Sequence, residues 1–339
     1  MAKCCMLCFQ DSAISQKVAR QSTERGYCEV CTTQRAILVD CSELNSDFSI
    51  LLSLYQESAD GEHLLELIER DWDIFSSAVC DKRSLLDALL PGTVGAKYIA
   101  IQSDANTAQN RWVALKDELK YRNRFFPESA PNQKELAELL GLLVISQNDL
   151  PKDFFRARVQ RGEEGFGLAD LMAPPVGVAQ AGRANPPGLS YLYVASDPDT
   201  ALAEVRPTVA DVVSIAQFEA VRNFKLIDLS DPRSQISPFR LGIETLSNVR
   251  AEMAFLSMLS EDLTRPAPVH KAPFEYLATQ YLCELIKRIG YDGVRYRSSL
   301  KPGGYNLAFF DVESLRPVNL CDPLLVDSVT LNTTASCKS

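Results

Sequence analysis

Residues 181–207 read AGRANPPGLSYLYVASDPDTALAEVRP, and how that stretch is read decides the fold of the C-terminal half. Pro186, Pro187 and Gly188 make a turn. The run from Leu189 to Ala195 is apolar and aromatic, the composition of a strand. Asp197 before Pro198 is a helix start: an oxygen that can accept from the first free N–H groups, then a residue already fixed at helical φ. Arg206 precedes Pro207, and a residue before proline avoids the α region, so the helix is short and Glu204 sits about two turns in. One turn back are Thr200 and Ala201, both small, so a ligand can approach this carboxylate closely. Helix glutamates are mostly just solvated. What sets Glu204 apart is the set of polar groups in the segments around it.

Those segments read as strands. FFRARVQ (154–160) alternates apolar and charged positions, which puts Arg156 and Arg158 on one face. In YRSSLKPGGYNLAFF (296–310) a strand ends in Ser298 and Ser299, passes Gly303 and Gly304, and gives way to a very apolar strand carrying Asn306. Glycines beside serines mark a loop where backbone comes close to a ligand, although plain turn chemistry uses the same residues. DVVSIAQFEA, NFKLIDLSD and SLRPVNL are further strands, and FEYLATQYLCELIKRIG is a helix. Residues 151–322 are therefore expected to form an α+β domain, with 323–339 as an unstructured tail.

Upstream the pattern is helical. HLLELIERDWDIFSS places Leu64, Leu67, Ile68, Trp72 and Phe75 at steps of three and four, and NTAQNRWVALKDELKYRNRFF and NQKELAELLGLLV repeat the period. A small helical domain over 41–150 is the expectation. Before it, Cys5 and Cys8 form one C-x-x-C pair and Cys28 and Cys31 a second, the spacing of a four-thiolate zinc ribbon over 1–40. Cys4 could replace Cys5 in the first pair. A ribbon this small needs its metal to fold, so the zinc is expected to be structural.

The 339 residues are 46% hydrophobic and 23% charged, which excludes disordered and fibrous classes. No run approaches the roughly 18 apolar residues of a membrane span, and the N-terminus has no apolar core of signal-peptide length, so a cytoplasmic location without membrane partners is expected. A net charge of −9 argues against broad nucleic-acid binding, leaving at most a local contact through the ribbon. Only His63 and His270 are present, so few mechanisms built on histidine remain.

The order FFRARV, then GRANPPGLSYLYVASDPDTALAEV, then GVRYRSS…YNLAFF resembles the RES domain family, named for an arginine, a glutamate and a serine. GRANPPG is similar to that family's G-R-W-N-x-x-G motif, with Ala184 where tryptophan is usual. The preceding part resembles the zinc-ribbon and HEPN/RES-type N-terminal segment of some bacterial proteins. The resemblance implies a fold like ADP-ribosyltransferase toxins, NAD+ as substrate, and an antitoxin partner. Carried over, the arginine is Arg156 or Arg158, the glutamate Glu204, and the serine Ser298 or Ser299. Arg183, Tyr191, Tyr193 and Asn306 then join the expected substrate contacts, with Arg183 helping Arg156 on the pyrophosphate and Ser298 on the nicotinamide ribose.

The activity so implied is cleavage of the nicotinamide–ribose bond by a glycohydrolase or phosphorylase. One alternative transfers ADP-ribose to a macromolecule. Another is a non-catalytic scaffold that binds a partner through the ribbon and helices. A HEPN-type ribonuclease is disfavoured, because His63 follows QESADGE with no arginine in reach.

Overall fold

The structure, a computed structural model, describes residues 2–21, 24–101, 105–162, 165–266 and 272–330; His270 and the tail beyond Thr330 lie outside them. The chain divides into two compact units, Met1–Leu115 with Asp231–Met258, and Lys116–Ser230 with Leu259–Ser339.

In the first unit β1 (Lys3–Cys5), β2 (Arg25–Gly26) and β3 (Ala36–Asp40) form an antiparallel sheet in the order β1-β3-β2, with α1 (Ser12–Gln21) between β1 and β2 in sequence. α2 (Asn45–Leu52), α3 (Leu64–Asp71), α4 (Lys82–Leu89) and the start of α5 (Ala105–Tyr121) follow. The stretch expected to be helical also holds an antiparallel strand pair, β4 (Tyr55–His63) with β5 (Lys97–Ala100). β4 reads YQESADGEH, polar almost throughout, so its sequence shows neither helical nor strand periodicity. α3 ends at Asp71, where Trp72 turns extended; Trp72 and Phe75 are buried from beyond the helix, not along its face.

Residues 231–258 join this unit although their sequence neighbours do not. They comprise α8 (Pro232–Gln235) and the first part of α9 (Ile243–Thr264), a helix without a clean apolar stripe. Side-chain contacts explain the placement. Phe239 meets Phe48 at 5.1 Å, Phe255 meets Trp112 edge-on at 5.3 Å, and buried Arg250 reaches Asp71 at 3.5 Å and the Ile101 carbonyl at 3.0 Å. Asp71 also accepts from the Tyr55 hydroxyl at 3.0 Å. Burial raises its carboxyl above the usual range, against the opposing pull of Arg250.

The second unit is built on a mixed sheet. Among the described residues its strands are β6 (Val144–Ser146), β7 (Asp153–Val159), β8 (Leu192–Ala195), β9 (Val212–Ala220), β10 (Lys225–Asp228), β11 (Gly293–Arg297), β12 (Tyr305–Phe309), β13 (Leu315–Leu320) and β14 (Leu324–Leu325). Their order is β13-β9-β7-β8-β12-β11-β10-β6, with β14 also on β9. β10 and β11 run parallel. The expected tail begins inside this sheet, since Leu324 and Leu325 pair with Val213 and Val212. Phe154, Leu192, Val194, Phe218, Leu226, Leu307 and Phe309 form its main apolar cluster. Removing such side chains from water is the main force holding the strands together. Helices α6 (Gln133–Gly141), α7 (Pro198–Glu204), α10 (Ala272–Glu275) and α11 (Leu277–Ile289) complete the unit.

α7 is the helix anticipated at Asp197. Asp197 Oδ1 accepts from the Thr200 N–H at 2.8 Å, Oδ2 accepts from the Thr200 hydroxyl at 2.7 Å, and Pro198 is the first helical residue. The helix stops at Glu204, and Arg206, before Pro207, takes a left-handed φ of 48°. Burial works against the Asp197 charge, but hydrogen bonds from Ser196 and Thr200 outweigh it and hold the carboxyl below the usual range.

Removing this cap as Asp197→Ala should cost about 1 kcal/mol and lower the melting temperature by roughly 2–4 °C, read by thermal denaturation. A lowered carboxyl contributes stability that is present above the ordinary aspartate range and is lost as pH falls through the folded value. The gap between wild type and variant should therefore close below about pH 4.

Candidate active site

Three backbone segments meet at Glu204. It is the last residue of α7, where the negative end of the helix disfavours a carboxylate. Two donors offset that cost. Ser298 Oγ and Asn306 Nδ2 each donate to Glu204 Oε1 at 2.7 Å. Among the described residues Oε2 has no such partner. Ser298 Oγ itself accepts from the Leu300 and Lys301 N–H groups, both at 3.2 Å, so its single proton is directed to Glu204.

The loop after Ser298 is held against α7. The Ser298 N–H donates to the Gly304 carbonyl at 2.9 Å, and Lys301 pairs with Asp199 at 3.0 Å. Gly304 fits only because it lacks a side chain: a Cβ there would stand 2.2 Å from Thr200 Oγ1. The Ser-Ser and Gly-Gly pairs thus make a loop that grips α7. Ser298 is buried and bonded to Glu204, whereas Ser299 is exposed.

Glu204 opens on a 280 Å³ cavity also lined by Arg156, Arg183, Tyr193, Tyr296 and Asn306. Arg156 is its unbalanced charge. Its Nη1 donates to the Tyr193 carbonyl at 2.8 Å, its Nε is buried without a partner, and no described carboxylate pairs with it. Burial, with the charge of Arg158 added, brings its guanidinium down to about 10, so it remains a cation at neutral pH. A second cavity of 690 Å³ adjoins, sharing Arg156, Ala157, Gly182, Tyr193 and Val205. Arg158 lines only this second space, pinned to the Asp170 carbonyl and lying 4.7 Å over the Phe166 ring.

Arg183 differs from expectation. It lines the cavity, but its Nη1 donates to the Leu263 and Thr264 carbonyls at 3.0 and 2.8 Å. A cation at these last carbonyls neutralises the end of a helix, so its charge is already engaged. Tyr191 is buried against Phe310 at 5.0 Å with its hydroxyl on Glu284, and it lines the second cavity but not the one at Glu204. Tyr193 lines both cavities. Its hydroxyl donates to Asn185 Oδ1 at 2.7 Å and accepts from the Ala184 N–H at 3.1 Å. The GRANPPG turn is thereby tied to β8, and Gly182 is required there, since a Cβ would lie 2.4 Å from Asn185 Oδ1.

Tyr296 was not anticipated. It shares a strand face with Ser298 two residues on, and this alternation in GVRYRSS was the available signal.

The family model for the RES domain matches residues 154–327, half of the chain. This protein belongs to the RES domain family. RES domains are in general NAD-consuming toxins. Among solved structures the chain is similar to one in the crystal structure of the M. tuberculosis MbcT–MbcA toxin–antitoxin complex, at 13% sequence identity, with 56% of this chain and 92% of that chain covered and a TM-score of 0.33. No curated protein sequence matches it. No helix among the described residues is long and apolar enough to cross a membrane.

Outside the RES domain, the Sγ atoms of Cys5, Cys8, Cys28 and Cys31 all lie within 4.8 Å of one another, and all four residues are buried. Neighbouring sulfurs are 3.4, 3.5 and 3.9 Å apart. A tetrahedral zinc with Zn–S bonds of about 2.3 Å has S–S edges of about 3.8 Å, whereas a disulfide needs about 2.05 Å. The four thiols can therefore hold a metal ion. Cys4 is equally buried, but its thiol hydrogen-bonds with that of Cys41, outside the set.

Metal analysis of protein prepared without chelators should find about one zinc per chain. Cys5→Ser should lose most of it, whereas Cys4→Ser should retain it.

Proposed function

We propose that this protein cleaves the nicotinamide–ribose bond of NAD+, as a glycohydrolase or phosphorylase, on a fold related to ADP-ribosyltransferases. One observation carries the reading: a carboxylate with one oxygen fixed and the other unengaged lines the same small cavity as a half-buried arginine that no described carboxylate pairs with. Breaking the bond from nicotinamide N1 to ribose C1′ develops positive charge on the sugar. Glu204, held by Ser298 and Asn306, is placed to stabilise that charge. Arg156 offers two parallel N–H groups to the pyrophosphate, which supplies the counter-charge its site lacks. Ser298 is assigned to positioning Glu204, in place of the expected ribose contact, because its proton is committed. Tyr193 and Tyr296 form the wall against nicotinamide.

Bound at Cys5, Cys8, Cys28 and Cys31, zinc would cross-link the two turns of the ribbon and take no part in the reaction. An antitoxin that covers the cavity is the partner we infer from family membership.

Purified protein should release nicotinamide from NAD+, and Glu204→Gln should lower that release by roughly 10²–10³-fold with the fold unchanged by circular dichroism. Unaltered turnover in the variant would falsify the role of Glu204. Adding phosphate separates phosphorolysis from hydrolysis, and label from NAD+ appearing on a macromolecule would indicate the transferase instead. Since Arg156 keeps its charge below about pH 10, NAD+ affinity should be level from about pH 6 to 9 and fall above it.

A further inference from the structure

The end of α5 and the loop after it hold large apolar side chains in water. Tyr121, Phe125 and Phe126 are 78, 80 and 84% exposed, three aromatic rings within one short stretch. A single apolar side chain at a surface needs no explanation, but a group of large ones marks a place where something docks. The backbone that carries them is fixed. The Arg122 and Asn123 N–H groups donate to the Glu118 carbonyl at 2.9 and 2.8 Å. The buried Glu118 carboxylate accepts from the Glu128 and Ser129 N–H groups, both at 2.9 Å. Asn123 grips the Phe126 backbone twice: its Oδ1 accepts from the N–H at 3.1 Å, and its Nδ2 donates to the carbonyl. The rings are therefore displayed on a braced loop whose next residue, Pro127, is buried.

The charges around the rings select the occupant. Asp117, Arg122, Arg124 and Glu128 are all exposed, and none forms an ion pair among the described residues. Two of each sign leave the face close to neutral. Single-stranded nucleic acid could stack on the rings but would meet the two carboxylates, and a chain of net charge −9 repels both a polyanion and an anionic membrane. A second copy meets no such conflict. Across a two-fold axis every contact occurs twice with the roles exchanged, so a face carrying both signs beside an apolar centre can complement itself. Aromatic rings and arginines are also the side chains that interface centres favour. Arg124 is steadied by a bond from its Nε to the Leu119 carbonyl at 3.4 Å, which leaves its Nη groups for a partner. We propose that this face joins two copies of the chain, with the rings at the centre and Arg124 of each copy against Glu128 of the partner subunit. The pairing does not depend on the NAD+ reading, since none of these residues lines either cavity.

Sedimentation equilibrium of the full chain, prepared without chelators, should give a mass that rises with concentration to twice the 37.6 kDa of one chain. Phe125→Ser with Phe126→Ser should raise the dimer Kd roughly 10²-fold or more with circular dichroism unchanged, because each ring is lost from both sides. Charge reversal tests the two-fold pairing itself. Arg124→Glu or Glu128→Arg alone should weaken self-association roughly three- to tenfold, the scale of two exposed ion pairs lost. An equimolar mixture of those two variants should recover it, because one pair is then native and the other merely exchanged. A purely structural role for either residue predicts no recovery on mixing. A chain that stays monomeric at every concentration, a dimer indifferent to the aromatic substitutions, or mixing without recovery would overturn the proposal. So would a monomeric chain that binds a deoxythymidine oligonucleotide or phosphatidylserine vesicles through Phe125 and Phe126.

Discussion

Asn306 on β12 stands opposite Tyr296 of β11 on one side and Ala195 of β8 on the other. That double register brings the site together. β8 leads directly into the capped helix that ends at Glu204, and β11 ends at Arg297, the residue before Ser298. With β12 paired between them, an amide and a hydroxyl reach the same carboxylate oxygen. Side chains alternate with a period of two, so a slip of one residue would turn Asn306 away and leave Glu204 at a helix end with one of its two donors lost. The apolar partners that resist such a slip are Leu307 and Phe309, both fully buried.

The second constraint is the desolvation of Arg156. A buried cation without a carboxylate is costly, and a fold tolerates one where a ligand anion completes it. The neighbouring Arg158 adds repulsion. Arg183 is the instructive contrast, because its buried charge is absorbed by helix carbonyls and creates no such demand. Two arginines in one small cavity thus do opposite jobs, and only hydrogen-bond bookkeeping tells them apart.

Local chemistry made much of this legible in the sequence. Asp197-Pro198 announces its helix, paired C-x-x-C motifs announce a four-thiol cluster, and alternation in FFRARV brings Arg156 and Arg158 to the edge of one cavity. What the sequence hid depends on distant partners. The acceptors of Arg183 lie eighty residues away, and the burial of Tyr191 depends on Phe310 and Glu284. β4 has no apolar alternation to read, and α9 is buried on too many sides to show a stripe.

The division of the chain has a consequence for how it can be handled. Residues 231–258 fall within the stretch that matches the RES family, yet they pack with the N-terminal unit through Phe48, Asp71 and Trp112. Trimming the gene to the family boundaries would strip that segment of its aromatic partners and leave Arg250 without Asp71. In engineering terms the part that matches the family is not a detachable cassette: the cut must be made in space, not along the sequence.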